Sequence, residues 1–196
     1  MLKKNRIIFG AVILISFLII TLGFAFSLVT KEEAIKNAFT SECQIVSETK
    51  DLTGANLEKV KSKLGGKLVH FQKGSQSAKV DETTKFEFNF AVKNKQKVGV
   101  SILDSEPGKW GPVDYIISLD MAGKVTRVEV MAYVEKRGRP IAARNFMGQF
   151  DGKTGADPIK LRDDIRGITG ATISSEASCF AVRKAITLYE TIYLNK

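Results

Sequence analysis

The chain has 196 residues and a formal net charge of +9 at pH 7, and after an N-terminal apolar run it is long enough for about one domain with a hydrophobic core. This charge suits nucleic acid, an anionic membrane surface or an acidic partner. However, the lysines are scattered and neither a Cys/His finger nor a basic helix is present, which argues against nucleic acid.

The N-terminus predicts a membrane anchor. The run from Ile7 to Val29 contains no charged residue and is long enough to cross the ~30 Å hydrocarbon core of a bilayer as one helix. It exceeds the roughly 7–15 apolar residues of a signal peptide, so we expect an uncleaved, single-pass anchor. Lys3, Lys4 and Arg6 would keep the N-terminus in the cytoplasm, with the C-terminal domain outside the cytoplasmic (inner) membrane. Residues 1–30 are therefore assigned to the basic start and the anchor.

Residues 31–107 are expected to form the first part of the extracytoplasmic domain. Thr30-Lys-Glu-Glu33 is a capping box, which predicts a helix that ends near Phe39. Periodicity and turn residues predict four further elements in this part. These are a short helix within Asp51–Gly66, a strand at Leu68–Phe71, a strand at Lys85–Phe90 that places Phe86, Phe88 and Phe90 on one face, and a strand at Val98–Leu103.

Residues 108–196 complete the predicted domain. Two antiparallel strands, Tyr115–Leu119 and Val125–Val134, are followed by an amphipathic helix at Ile141–Phe150. The second strand should place Val128, Val130, Ala132 and Val134 on one face. A polar loop at Asp151–Asp164 leads to a C-terminal helix with a buried stripe of Cys179, Val182, Ile186, Tyr189 and Tyr193. The predicted fold class is α+β, with an antiparallel sheet flanked by helices and preceded by one transmembrane helix.

Several kinds of chemistry find little support. Cys43 and Cys179 form no Cys-x-x-Cys motif, which excludes c-type haem attachment and the usual zinc and iron–sulfur spacings. Whether they pair stays open, and Cys179 is expected in the core. His70, the only histidine, is expected to pack in a strand rather than bind metal, and no phosphate-binding loop is present. We therefore predict neither a metal ligand nor a catalytic residue of a hydrolase or NTPase.

The most informative stretch is Arg166-Gly-Ile-Thr-Gly-Ala-Thr-Ile-Ser-Ser175. Gly167 and Gly170 permit a tight turn, and Thr172, Ser174 and Ser175 are good helix N-caps. A helix start also attracts anions such as phosphate, with the two serine hydroxyls within reach. Local chemistry alone favours the simpler interpretation, a plain turn followed by a capped helix.

This stretch resembles the flavinylation motif of the FMN-binding domain family. Thr169-Gly170-Ala171-Thr172 is similar to the Ser/Thr-Gly-Ala-Thr motif of that family, whose members include the covalent-FMN subunits of the Rnf electron-transport complex and of the sodium-pumping NADH:quinone reductase. Other pieces match in the same order. These are Gly108-Lys-Trp-Gly-Pro-Val113, the two strands after it, Glu135 and Gly138, Phe146 to Lys153, and Asp164-Ile165.

The resemblance implies that a flavin transferase joins FMN through its phosphate to Thr172. The cofactor-binding residues that it implies are Thr172, Thr169, Gly170, Ala171, Ile173, Ser174, Ser175, Glu135 and Gly138. The chain departs from the family pattern at two places. Arg166 stands where an aspartate is usual, and Lys136-Arg137 replaces Thr-Pro.

The expected function is that of a membrane-anchored flavoprotein that passes electrons to or from redox partners within a membrane complex. Whether it acts as an enzyme by itself stays open. Two alternatives also remain, a module that binds or senses FMN without a covalent bond and an assembly subunit that has lost its cofactor.

Overall fold

The computed structural model describes residues 26–75, 80–134 and 140–195. The strands are β1 (Phe26–Ser27), β2 (Gln44–Asp51), β3 (Lys85–Lys93), β4 (Gln96–Pro107), β5 (Pro112–Leu119) and β6 (Val125–Tyr133). The helices are α1 (Lys31–Ala38), α2 (Gly54–Lys63), α3 (Arg144–Met147) and α4 (Thr172–Tyr189), with 3-10 turns at Pro140–Ala142 and Gly148–Phe150 and a π-helical turn at Glu190–Leu194. All strand pairs are antiparallel, in the order β1-β6-β5-β4-β3-β2. The predicted α+β class, with an antiparallel sheet flanked by helices, is confirmed.

The larger core lies between one face of the sheet and α4. Phe86, Phe88 and Phe90 all enter it, as their alternation predicted. From Ala177 to Tyr189, every residue of α4 except Arg183 is buried. The sequence predicts one buried stripe on α4, but the helix is buried on almost every side. The reason is that both the sheet and α2 pack against it.

A smaller core lies on the opposite face, where Ala34 and Ile35 of α1 pack against Ala91 and Ile116. Ile116 alternates with core residues of the other face along β5, which places α1 and α4 on opposite sides of the sheet. The predicted capping box starts α1. Thr30 Oγ1 accepts the Glu33 N–H at 3.2 Å, and Glu33 Oε2 accepts the Thr30 N–H at 3.0 Å.

Strand β6 departs from the predicted alternation near its end. Asp114 is opposite Ala132 and Tyr115 is opposite Val130, so Met131 is an extra residue, a β-bulge. The bulge reverses the faces after Val130. Tyr133 enters the larger core in place of the predicted Ala132 and Val134.

Two predicted elements are wrong. Leu68–Phe71 is a loop, not a strand. The predicted helix at Ile141–Phe150 is broken at Ala143, which is extended at ψ 138°. The carbonyl of Ala143 instead accepts the N–H groups of Phe146 and Met147 and so starts α3 as a separate short helix.

The predicted anchor lies outside the described residues except for its last four. Of these, Phe26 and Ser27 pair with β6, and the Leu28 N–H donates to the Met131 carbonyl at 2.8 Å. Val29 packs against the smaller core. Among the described residues, no helix has both the length and the apolar character to cross a bilayer.

Candidate functional site

The Thr169–Thr172 motif lies at the N-terminus of α4, which begins at Thr172. Gly170 has φ +79°, a left-handed conformation that glycine adopts without strain. The N-cap is Ala171, and no side chain caps the helix. The predicted capping role of Thr172, Ser174 and Ser175 is therefore wrong.

Ser175 supports the turn from inside. It is fully buried, and its Oγ accepts the Ile168 N–H at 3.3 Å and donates to the Ala171 carbonyl at 2.9 Å. Ser174 is also buried, and its carbonyl accepts a hydrogen bond from Ser178 at 2.9 Å. The expectation that both hydroxyls lie within reach of a phosphate is corrected, because these side chains belong to the interior.

The remaining residues of the motif are accessible. Thr169, Gly170 and Thr172 are exposed, and Ala171 and Ile173 are half-buried. The hydroxyl of Thr172 thus lies at the positive end of an 18-residue helix, where the first N–H groups have no partner within the helix. This position suits an attached phosphate.

A contact from the loop at residues 72–74 stabilises the N-terminus of α4, and it was not predicted from the sequence. Gln72 Nε2 donates to the Ile173 carbonyl at 3.0 Å, although the two residues are far apart in sequence. A Cβ on Gly74 would lie 3.6 Å from Ile173 Cδ1, so the backbone of the loop packs directly on this side chain. Glutamine in a loop carries no pattern that could have predicted the contact.

A cleft of about 620 Å³ lies directly before the motif. Its walls come from the α3 region and from the loop that precedes α4, and they consist of Pro140, Ala143, Asn145, Phe146, Gln149, Lys153, Asp164, Arg166, Gly167 and Ile168. Ligand pockets commonly have volumes of roughly 300–1,000 Å³ and mostly apolar walls with a few polar groups. The volume of this cleft lies in that range, and its walls offer apolar groups together with a larger share of polar ones.

An ion pair fixes the charges at one side of the cleft. Lys153 Nζ lies 2.7 Å from Asp164 Oδ2, and Asp164 also accepts the N–H groups of Ile159 at 3.1 Å and Lys160 at 2.8 Å. Burial alone would raise the pKa of Asp164, but these hydrogen bonds outweigh it and lower that pKa. Asp164 therefore remains ionised and neutralises Lys153.

Arg166 is the cation that stays accessible at the cleft. It is exposed, and among the described carboxylates none lies within ion-pair distance of it. Its main chain is held by the side chain of Gln149. Glu135 and Gly138, which were also predicted to bind the cofactor, lie outside the described residues, as does the Lys136-Arg137 pair between them.

His70 and the cysteines are not part of the motif. His70 is in a loop, stacks on Phe180 at 5.2 Å and lies 3.8 Å from the Glu176 carboxylate. Burial and then Lys67 lower its pKa, which keeps it neutral. Cys43 and Cys179 are buried, free and in different cores, and Cys179 has its predicted packing role. The described residues contain no cluster arranged to hold a metal ion.

Comparison with known proteins identifies the family of this part of the chain. Residues 108–187 match the family model of the FMN-binding domain. The match starts between β4 and β5, includes the cleft and the motif, and ends within α4. A search of curated proteins gave no match.

Proposed function

Residues 108–187 belong to the FMN-binding domain family, and on this premise we propose that the protein carries FMN as a phosphoester on Thr172 and transfers electrons within a membrane redox chain. The family assignment makes this a flavin-binding protein. The observation that carries the finer proposal is the exposed side chain of Thr172 in the first turn of α4, together with a cleft of about 620 Å³ whose walls include the residues just before the motif.

The bond joins the Thr172 hydroxyl oxygen to the phosphorus of FMN. The hydroxyl proton and a leaving group on phosphorus are lost, so the flavin transferase must supply a flavin whose phosphate is already activated, such as a flavin dinucleotide. An accessible position at a helix start lets this second protein reach the hydroxyl. Buried Ser174 and Ser175 could not accept the group without opening the turn.

The phosphate would be held by the first-turn N–H groups of α4 and by the helix dipole. Arg166, accessible and unpaired by the described carboxylates, adds a positive charge on the same loop. A charge-assisted hydrogen bond from a guanidinium to phosphate is among the stronger polar contacts in proteins. Arg166 thus supports the phosphate although the family usually has an aspartate there.

The ring would lie in the cleft between the α3 region and residues 166–168. Phe146, Pro140 and Ile168 supply apolar surface, while Asn145 and Gln149 supply polar groups that can orient a heterocycle. When bound, FMN supplies reversible electron transfer, and the protein fixes its position and electrostatic surroundings.

The membrane part of the proposal rests on the sequence. The uncharged run that begins at Ile7, whose last four residues belong to the edge of the domain, and the basic residues before it support a single-pass anchor with the domain outside the cytoplasmic membrane. A covalent link suits this location, since an exported protein cannot easily replace a lost cofactor. The redox partners would then be other proteins of the same membrane complex.

The test is to produce the full chain together with a flavin transferase and to examine it on a denaturing gel. We expect flavin fluorescence in the wild type and the mass of FMN, less one water, on the tryptic peptide that contains Thr172. Thr172→Ala must lose both signals. Thr53→Ala is the matched control, because Thr53 is also accessible at a helix start, and it must retain them.

A non-covalent FMN-binding module is the second candidate, and accessible Arg166 favours it, since a guanidinium can hold the phosphate of free FMN. In that case acid precipitation releases the yellow colour and leaves a colourless pellet. A chain that stays colourless when FMN, flavin dinucleotide and the transferase are all present would be the assembly subunit without a cofactor, and both flavin proposals would fail.

A further inference from the structure

Three ionisable side chains meet in the interior, away from the cleft. Lys184 Nζ of α4 lies 2.6 Å from Asp104 Oδ1 and 2.5 Å from Glu106 Oε1. Asp104 and Glu106 are two residues apart on β4, so their side chains share one face of the sheet. The exposed fractions are 3% for the Lys184 side chain, 8% for Asp104 and 0% for Glu106.

The formal charges in this cluster do not balance. Two ionised carboxylates and one ammonium carry a net negative charge, and burying an uncompensated charge is costly. The nearest further cation on α4, Arg183, directs its guanidinium to the Ile159 carbonyl instead. Within the described part of the chain, no second ammonium or guanidinium contacts either carboxyl group.

In the described ranges of the chain, the hydrogen bonds of the cluster leave one carboxylate oxygen without a donor. Lys184 also donates to the Leu68 carbonyl at 2.7 Å, and Glu106 Oε2 accepts the His70 main-chain N–H at 2.8 Å. Asp104 Oδ2 is buried and has no hydrogen-bond partner among the described residues. A buried carboxylate oxygen without a hydrogen-bond donor destabilises the folded state. A proton bound to this carboxyl pair would remove that destabilisation.

The other titratable groups near the cluster do not supply a compensating positive charge. The Tyr115 hydroxyl is hydrogen-bonded to Ser178 at 3.0 Å, and burial raises its pKa well above the usual range. Burial also raises the pKa of Cys179 to about 12. Both groups stay neutral near pH 7, as does His70, so they leave the carboxyl pair uncompensated.

We propose that Asp104 and Glu106 share one proton at neutral pH and so form, with Lys184, a buried proton-binding site. The proton comes from solvent, binds between the two carboxyl groups and gives Asp104 Oδ2 its missing partner. The cluster is then neutral, with one carboxylate, one carboxylic acid and one ammonium.

The titration of each group agrees with this state. Burial and the nearby Asp104 carboxylate raise the pKa of Glu106 to about 8. Burial also raises the pKa of Asp104. Burial would lower the pKa of Lys184, but the two carboxyl groups outweigh it and raise that pKa, so Lys184 keeps its charge.

Infrared spectroscopy of the full chain tests the site, because a neutral carboxylic acid has a carbonyl stretch that a carboxylate lacks. At neutral pH we expect this band in the wild type and its loss as the pH rises through about 8. Asp104→Asn and Glu106→Gln each leave one carboxylate facing one ammonium, so both must lack the band. Asp163→Asn, at an exposed position, must keep it.

The wild type decides the question even if a variant fails to fold. Absence of the band at neutral pH overturns the proposal, and so does a band that persists well above that pH. A band retained in both amide variants also overturns it, since the proton would then belong to another group. This test needs no flavin and is independent of the function proposed above.

Discussion

The side chain of Gln149 clamps the main chain of Arg166. Gln149 Oε1 accepts the Arg166 N–H at 2.9 Å, and Nε2 of the same side chain donates to the Arg166 carbonyl at 3.1 Å. Both main-chain polar groups of one residue are thus fixed by a side chain 17 positions earlier. This contact joins the two walls of the cleft and sets the start of the loop that leads to Thr172.

Replacing Gln149 with leucine should loosen this loop. The variant loses a long hydrogen bond of 3.4 Å from Gln149 Nε2 to the Phe146 carbonyl and the two shorter bonds to Arg166. Each of these two contributes about 0.5–1.5 kcal/mol net, so the free energy of unfolding should fall by about 1–3 kcal/mol. Flavin incorporation should fall as well, because the cleft walls separate. Denaturant unfolding and in-gel fluorescence measure the two effects. Gln96→Leu, at an exposed strand end, serves as control, and an equal loss there would refute the role of the clamp.

Two neighbouring glycines should respond differently to alanine. A Cβ on Gly170 would meet open space, but this residue has φ +79°, and a left-handed conformation costs an L-residue about 1–2 kcal/mol. Gly167 lies outside the left-handed region, and its Cβ would make ordinary contact with Leu161, so Gly167→Ala should change stability by less than about 0.5 kcal/mol. Thermal unfolding of both variants provides the comparison. Equal destabilisation would mean that the turn does not have this geometry.

Thr172→Ala should abolish flavin attachment without loss of stability. The side chain is accessible and makes no capping hydrogen bond, so we expect a change within about 0.5 kcal/mol in the unfolding free energy of flavin-free protein. Ser175→Ala is the contrasting variant. Its buried hydroxyl bonds to Ile168 and Ala171, and its loss should cost about 1–3 kcal/mol. A large loss of stability in Thr172→Ala would show that this hydroxyl has a structural role.

The stability of the protein should depend on Glu106 between mildly acidic and mildly alkaline pH. Burial and Asp104 raise its pKa from 4.5 to about 8, so the folded state keeps a proton that the unfolded state has lost. The resulting stabilisation is complete below the ordinary pKa of 4.5 and is lost as the pH rises through about 8. Unfolding free energies across this range should therefore fall more steeply in the wild type than in Glu106→Gln.

Exposed Glu58 provides the matched control. Glu58→Gln should leave the pH profile of the wild type unchanged. If Glu106→Gln also follows the wild-type profile, Glu106 does not take up a proton on folding.

Local patterns in the sequence predicted much of this fold. Alternation identified β3 and the face of Phe86, Phe88 and Phe90, and the capping box identified the start of α1. The sequence predicts a strand at Leu68–Phe71 because this segment is largely apolar and contains no residue that marks a loop, but the structure has a loop there. Its backbone groups bond to side chains instead of a neighbouring strand, as Lys184 binds the Leu68 carbonyl and Glu106 binds the His70 N–H.

The motif at Thr169–Thr172 could be identified from the sequence, but its support could not. Ser175 looks like a cap and instead braces the turn from the interior. Gln149 and Gln72 act through contacts with residues 17 and 101 positions away. Such contacts depend on tertiary packing and leave no periodic signal. The bulge at Met131 likewise leaves no signal in the sequence. One inserted residue reverses the faces of β6 without a change in composition.

The pairing of β1 with β6 has a mechanical consequence. Phe26, Ser27 and Leu28 bond to the sheet edge, and Val29 packs on the smaller core, so the described chain begins within the folded body. An anchor that ended at residue 25, as proposed above, would join the domain without a flexible linker. A group on Thr172 would then be presented at a distance set by the dimensions of the domain, and a partner would have to come to that height to exchange electrons with it.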